Sequence, residues 1–163
     1  MKRRAVLLAC GLLPLVGGVA RAAAGASARP AAAAAPAGPL VSIWKSPTCG
    51  CCADWVAHLQ ANGFRTQVFD SGNEAMRQRL RMPERYGSCH TAQVEGYALE
   101  GHVPAADIRR LLRERPRAVG LAVPGMPIGS PGMDGPAYGG RRDPYDVLLV
   151  ARDGSATVFR AYR

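Results

Sequence analysis

Lysine is almost missing from this chain: Lys2 and Lys45 are the only two in 163 residues. The formal charge of +9 is therefore carried by arginine. Beside so much alanine and glycine it reflects a compositional bias, so nucleic acid binding is not implied. Length for a second domain is lacking too, since 163 residues support one domain with a real core. Residues that pack are missing from Gly25 to Pro39, a stretch of almost nothing but Ala, Pro and Gly. That excludes a core there and reads as a disordered linker over 25–39, placing the folded domain at 40–163.

The apolar run Ala5 to Ala20 follows Met1-Lys2-Arg3-Arg4 and leads to small residues at Ala22 to Ala24. A charged start, an apolar middle and a small-residue cleavage region make a signal peptide over 1–24, so the chain is expected to be exported to the periplasm, with no stable membrane insertion after cleavage. Cys10, after Leu7-Leu8-Ala9, resembles a lipoprotein cleavage site, but cutting there would leave too short a hydrophobic segment. Arg3-Arg4 hints at twin-arginine export, yet its flanking residues fit the ordinary secretory route better. Cleavage leaves four of the five cysteines.

From Leu40 the pattern is regular. Leu40 to Trp44 reads as a strand, Cys52 to Asn62 as a helix burying Trp55, Val56 and Leu59, and Gly63 as its stop. Phe64 to Phe69 alternates as a strand, and Asn73 to Leu80 suits a helix started by Ser71 or Asn73. Thr91 to Val94 and Tyr97 to Leu99 flank Glu95-Gly96, a tight hairpin turn, and Pro104 to Glu114 suits a third helix with Ile108, Leu111 and Leu112 inward. Beyond the apolar Val119 to Val123, residues 124–133 hold too many turn formers for a helix. Tyr145 to Val150 and Thr157 to Tyr162, joined through Asp153-Gly154, read as a terminal hairpin. The order is that of an α/β, thioredoxin-like single domain with a C-terminal β-hairpin extension.

The chemistry gathers at Ser46-Pro47-Thr48-Cys49-Gly50-Cys51-Cys52, between the first strand and the first helix. Helix N-termini favour the thiolate, the form that attacks disulfides or binds metal. Cys49 and Cys52 have the C-x-x-C spacing of disulfide oxidoreductases, but Cys51 puts a third thiol inside it. A thioredoxin-like topology brings the start of the third strand beside this loop, so Cys89 is expected to join the other three.

The segments S-P-T-C-G-C-C at 46–52, W-V-x-H-L at 55–59, S-C-H-T-A at 88–92, G-Y-x-x-E-G-H-V-P at 96–104, G-L-A-V-P-G-M-P at 120–127 and G-S-P-G-M at 129–133 resemble the DUF411 family, which includes CopG-like copper-resistance proteins. The resemblance spans the domain and implies a thioredoxin-like fold and copper bound by Cys49, Cys51, Cys52 and Cys89.

The residues agree with that implication. Thiolate sulfur is soft and prefers Cu(I). Four thiolates on one Cu(I) would leave an excess charge in a partly buried site, whereas four Cu(I) and four thiolates sum to zero, which favours a thiolate-bridged cluster. Met126, Met133 and His90 are second-rank ligands. His58 is read as a surface partner of Asp54, His102 as structural, Trp44 and Trp55 as shields for the thiols, and the arginines from Arg109 to Arg117 as a solvated face. The expected function is an exported copper-binding protein that sequesters or redox-cycles Cu(I) in copper resistance. Its partners are copper ions and other exported copper-handling proteins, and binding is favoured over catalysis. The alternatives are a thiol–disulfide oxidoreductase using Cys49 and Cys52, and a structural zinc module for interactions.

Overall fold

The computed structural model describes residues 38–163. The signal peptide expected over 1–24 and the linker expected over 25–39, apart from its last two residues, lie outside them. Among the described residues, no helix is long and apolar enough to cross a membrane.

Seven strands form one mixed sheet in the order β2-β1-β3-β4-β5-β6-β7, numbered along the chain. They are β1 Leu40–Lys45, β2 Arg65–Phe69, β3 His90–Val94, β4 Tyr97–Glu100, β5 Gly120–Ala122, β6 Tyr145–Val150 and β7 Ala156–Tyr162. Three α-helices accompany them, α1 Gly50–Ala61, α2 Asn73–Arg79 and α3 Ala105–Glu114, with short 3-10 turns at Glu84–Tyr86 and Pro136–Tyr138. Together they make a mixed α/β domain.

Alternation along the strands sends side chains to two different layers. Val41, Ile43, Ala92, Leu99 and Leu121 pack with Trp55, Val56 and Leu59 of α1 and with Ile108 and Leu111 of α3. The neighbouring positions Ala98, Ala122 and Val150 pack instead with Met82, just beyond α2. The apolar spacing in α1 and α3 is what lets each helix cover the first layer.

Several boundaries differ from the sequence expectation for physical reasons. Helix α1 begins at Gly50, so Cys51 and Cys52 lie in its first turn and Cys49 is its N-cap. Helix α2 is capped by neither Ser71 nor Asn73: Gly72 occupies the N-cap with φ 77°, a left-handed conformation that glycine adopts without steric cost. The short strand β5 pairs in parallel with β4 and antiparallel to β6, which continues the sheet. β6 and β7 pair antiparallel, with a register shift between Val147 and Leu148.

Candidate functional site

Strand pairing assembles the cysteines. β1 and β3 run antiparallel with Lys45 opposite His90, so the chain leaves β1 at the end of the sheet where β3 begins. Cys89 immediately precedes β3, and Cys49 to Cys52 follow β1 across one turn. The four sulfurs lie within 4.8 Å of one another.

Two of them are joined. Cys49 and Cys52 form a disulfide across the first turn of α1, with their Cα atoms 5.3 Å apart, inside the range a disulfide spans. Cys51 and Cys89 are free thiols. The four-sulfur group expected from the sequence is thus present with half of its donors paired to each other, because a cap residue and the third residue of a helix approach closely while adjacent helical residues diverge. The Cys51 sulfur is 3.6 Å from that of Cys49. Burial, and then the nearby Cys51, push the Cys89 thiol up to about 12, so without a partner it is held as the neutral thiol.

Two histidines complete the surroundings. His102 Nδ1 is 2.7 Å from the Pro131 carbonyl, which accepts only, so Nδ1 carries the proton and Nε2 presents a lone pair. That lone pair is 3.1 Å from the Cys89 sulfur. His90 Nδ1 lies 3.4 Å from the same sulfur. His90 Nε2 has no hydrogen-bond partner although the residue is fully buried. Burial first, then the neighbouring His102 and Lys45, hold His90 down to about 3, and burial lowers His102 as well, so both rings are neutral. Trp55 closes the pocket, its ring 4.3 Å from that of His90 and its Nε1–H donating to the Val103 carbonyl.

The sequence also carries a signal for the place of His102 beside Cys89. A two-residue turn at Glu95-Gly96 pairs Val94 with Tyr97 and Thr91 with Glu100. Counting one and two steps further outward puts residue 101 opposite His90 and His102 opposite Cys89. Hairpin register alone therefore brings an imidazole to the fourth thiol.

The other expected residues have further contacts. Met133 is buried and its sulfur accepts the Tyr138 hydroxyl at 3.1 Å. Met126 is 52% exposed and shares with Cys89 an open groove of about 410 Å³. Trp44 stacks on Phe69, with ring centroids 5.0 Å apart. His58 does not pair with Asp54: its Nε2 accepts the Ala105 N–H at 3.2 Å, satisfying one of the free donors at the start of α3.

Cys89 is fixed through its neighbour. A buried ion pair between Arg77 of α2 and Glu100 of β4 grips both backbone groups of Ser88. The Ser88 N–H donates to Glu100 Oε1 at 2.7 Å, and Arg77 Nη2 donates to the Ser88 carbonyl at 2.9 Å. Arg77 also donates to Glu100 at 3.0 Å and to Glu84 at 2.8 Å, and Thr91 donates to Glu100 Oε2 at 2.7 Å.

From the other side, the loop 129–133 lies against α1 at Gly132. A Cβ on this residue would fall 2.6 Å from the Cys51 carbonyl oxygen and 2.8 Å from the Trp55 nitrogen, and its φ of +85° disfavours any side chain. Overlap with backbone and left-handed strain together predict that Gly132→Ala destabilises the domain by about 3 kcal/mol. The melting temperature, followed by circular dichroism, is expected to fall by roughly 10 °C. An unchanged melt would show that the loop moves away freely.

The arrangement offers soft sulfur donors beside neutral imidazoles, with a disulfide able to interconvert with two further thiols. Two solved structures of copper resistance protein CopG are similar to this chain. Form 2 is 46% identical, with a TM-score of 0.71, over 77% of this chain and 99% of that one. Form 1 is 47% identical, with a TM-score of 0.70, over 76% of this chain and 96% of that one. Residues 86–133, which carry Cys89, His90, Glu100 and His102, match DUF411, described as a protein of unknown function. No curated protein matches. With nearly half of its residues identical across almost the whole length of those structures, the chain belongs to the DUF411, CopG-like copper-resistance family.

Proposed function

We propose that this chain is an exported, periplasmic copper-binding protein in which a thioredoxin-like domain, extended by β6 and β7, carries Cu(I) on Cys49, Cys51, Cys52 and Cys89. The observation that carries the reading is the convergence of four sulfurs within 4.8 Å at one end of the sheet, in a chain whose relatives are copper resistance proteins. Copper is here the cargo. Four soft donors suit Cu(I), and thiolate bridging neutralises several ions at once, so reduced protein is expected to load more than one. Closing the Cys49–Cys52 pair releases two electrons and two protons, enough to take two Cu(II) to Cu(I), so the same pair supports redox cycling of the cargo.

Anaerobic titration of the reduced chain with Cu(I), against a competing chelator, tests this. Saturation above one equivalent is expected. Saturation at one, or Zn(II) that copper fails to displace, would overturn the cluster. The disulfide at the N-terminus of α1 favours a second reading, a thiol–disulfide oxidoreductase. In the same titration Cys51→Ser separates the two: copper loading drops under the first reading, with exchange through Cys49 and Cys52 retained, and the reverse pattern supports the second.

A further inference from the structure

The end of the sheet away from the thiols gathers a different chemistry. Cys89 and Glu95 stand at opposite ends of β3, about 20 Å apart along an extended strand. Two grooves of about 370 and 210 Å³ meet at the Glu95 end and share Gly96, Ala118 and Arg152. Arg81, Arg115, Arg117 and Arg152 line them, against a single acid, Glu95. Resting on the export reading above, we propose that this arginine-lined end is a membrane-docking surface, which takes the phosphodiester headgroups of anionic phospholipid and leaves the thiol end of the sheet facing away from the bilayer.

The arginines there are not neutralised by the chain itself. Elsewhere on the surface Arg110, Arg160 and Arg163 are tied to Glu114, Asp107 and Asp146. Here Arg115 has Glu95 at 2.6 Å, while Arg81, Arg117 and Arg152 make no ion pair or side-chain hydrogen bond among the described residues. Free guanidiniums on one surface repel one another, and oxyanions shared among them relieve that repulsion. The planar fork of arginine also meets two phosphate oxygens at once, which the ammonium of lysine does not. Backbone conformation gives an independent sign. Arg81 follows α2 and Arg115 caps α3 with φ of 60° and 46°, left-handed values for which a helix end ordinarily takes glycine. With Glu95 at φ 44° they are the only non-glycine residues of positive φ among the described residues, and all three line these grooves. Backbone strain of this kind gathers where a ligand is held.

Among anionic partners, the course of the chain favours a membrane. Val41 of β1 lies opposite Val94 of β3, so the chain enters the sheet beside Glu95. Residues 21–37 join this point to the apolar run Ala5 to Ala20. A domain suspended from that run in a bilayer hangs from its arginine end, which brings the guanidiniums to the headgroups. Attraction of exposed charges to such a surface fades within a Debye length, so only the end that faces the bilayer takes part.

The test sediments the chain, purified from whichever cell fraction it collects in, with vesicles of phosphatidylcholine alone and of phosphatidylcholine mixed with phosphatidylglycerol. The parent is expected to bind the mixed vesicles and to be released as salt rises. Each arginine at an anionic surface accounts for about a fivefold change in binding, so Arg117→Gln with Arg152→Gln should weaken it about thirtyfold. Arg141→Gln with Arg142→Gln removes the same charge from exposed positions ahead of β6, at the thiol end of the sheet, and should leave binding within about twofold of the parent. If either pair fails to fold by circular dichroism, Arg152→Gln alone decides, with a loss of about fivefold expected. Equal losses for the two pairs, or equal binding to both kinds of vesicle, overturn the docking surface. Capture by soluble polyglutamate without binding to vesicles overturns it too and gives the face to an acidic protein. Recovery of the chain from the cytoplasm overturns the export reading alone, and the vesicle comparison still decides the surface.

Discussion

Cys89→Ser is expected to strip copper from the reduced chain at least as thoroughly as Cys49→Ser does, while leaving the fold in place. Cys89 is the one sulfur grouped both with the other three cysteines and with the two histidines, and a serine oxygen is a poor Cu(I) ligand. The core of Trp55, Val56, Leu59, Ile108 and Leu111 does not draw on the thiol, so circular dichroism of the copper-free variant should overlay that of the parent. Chelator competition should show affinity down by at least about tenfold, with stoichiometry reduced. A variant that loads copper like the parent would remove Cys89 from the ligand set and leave His90 or Met126 as the donor.

The second large effect is on stability. Arg77→Met leaves the Glu100 carboxylate, which is 0% exposed, without its cation, and removing one member of a buried pair typically costs about 3–5 kcal/mol. A fall of roughly 10–20 °C in melting temperature is the expected result. Pairing it with Glu100→Leu should recover much of the loss, because the desolvated charge goes too. Acid should help the single variant. Burial already raises Glu100 in the parent, against the pull of Thr91, Ser88 and Arg77. A carboxyl raised on folding favours the folded state most below its ordinary range and loses that contribution as pH rises through its folded value. Without Arg77 the rise is greater, so Arg77→Met should lie closer to the parent in mildly acidic buffer than at neutral pH. A melt within 2 °C or so of the parent at neutral pH would mean that water reaches Glu100 once Arg77 is gone.

What the sequence disclosed was whatever has a period or a turn. Leu59, four residues after Trp55 and three after Val56, marked one face of α1, Pro104 marked the start of α3, and Glu95-Gly96 set the β3–β4 register. Glu95 sits at φ 44° and Gly96 at φ 88°, the left-handed pair such a turn requires. The meeting of Cys89 with the α1 cysteines followed from strand order. What stayed hidden depends on contacts between distant segments. No spacing pairs Arg77 with Glu100, and only the packing of α2 against β1 and β3 brings them together in the interior. His58 looked like a partner for Asp54 one turn away, but the start of α3 presented it with a free N–H. The oxidation state of Cys49 and Cys52 is set by surroundings that spacing does not encode.

The disulfide is lopsided. Cys52 is 0% exposed, whereas Cys49 lies partly open at the head of α1. Exchange with an outside thiol would therefore begin at the more exposed Cys49 sulfur, with Cys52 as the leaving group. It departs into the first turn of a helix, where unpaired N–H groups stabilise the thiolate. Cys51, its sulfur 3.6 Å from that of Cys49, stands within reach of the captured species. Depth below the surface thereby gives a symmetric covalent bond a direction: the outer sulfur trades with the solvent and the inner one waits.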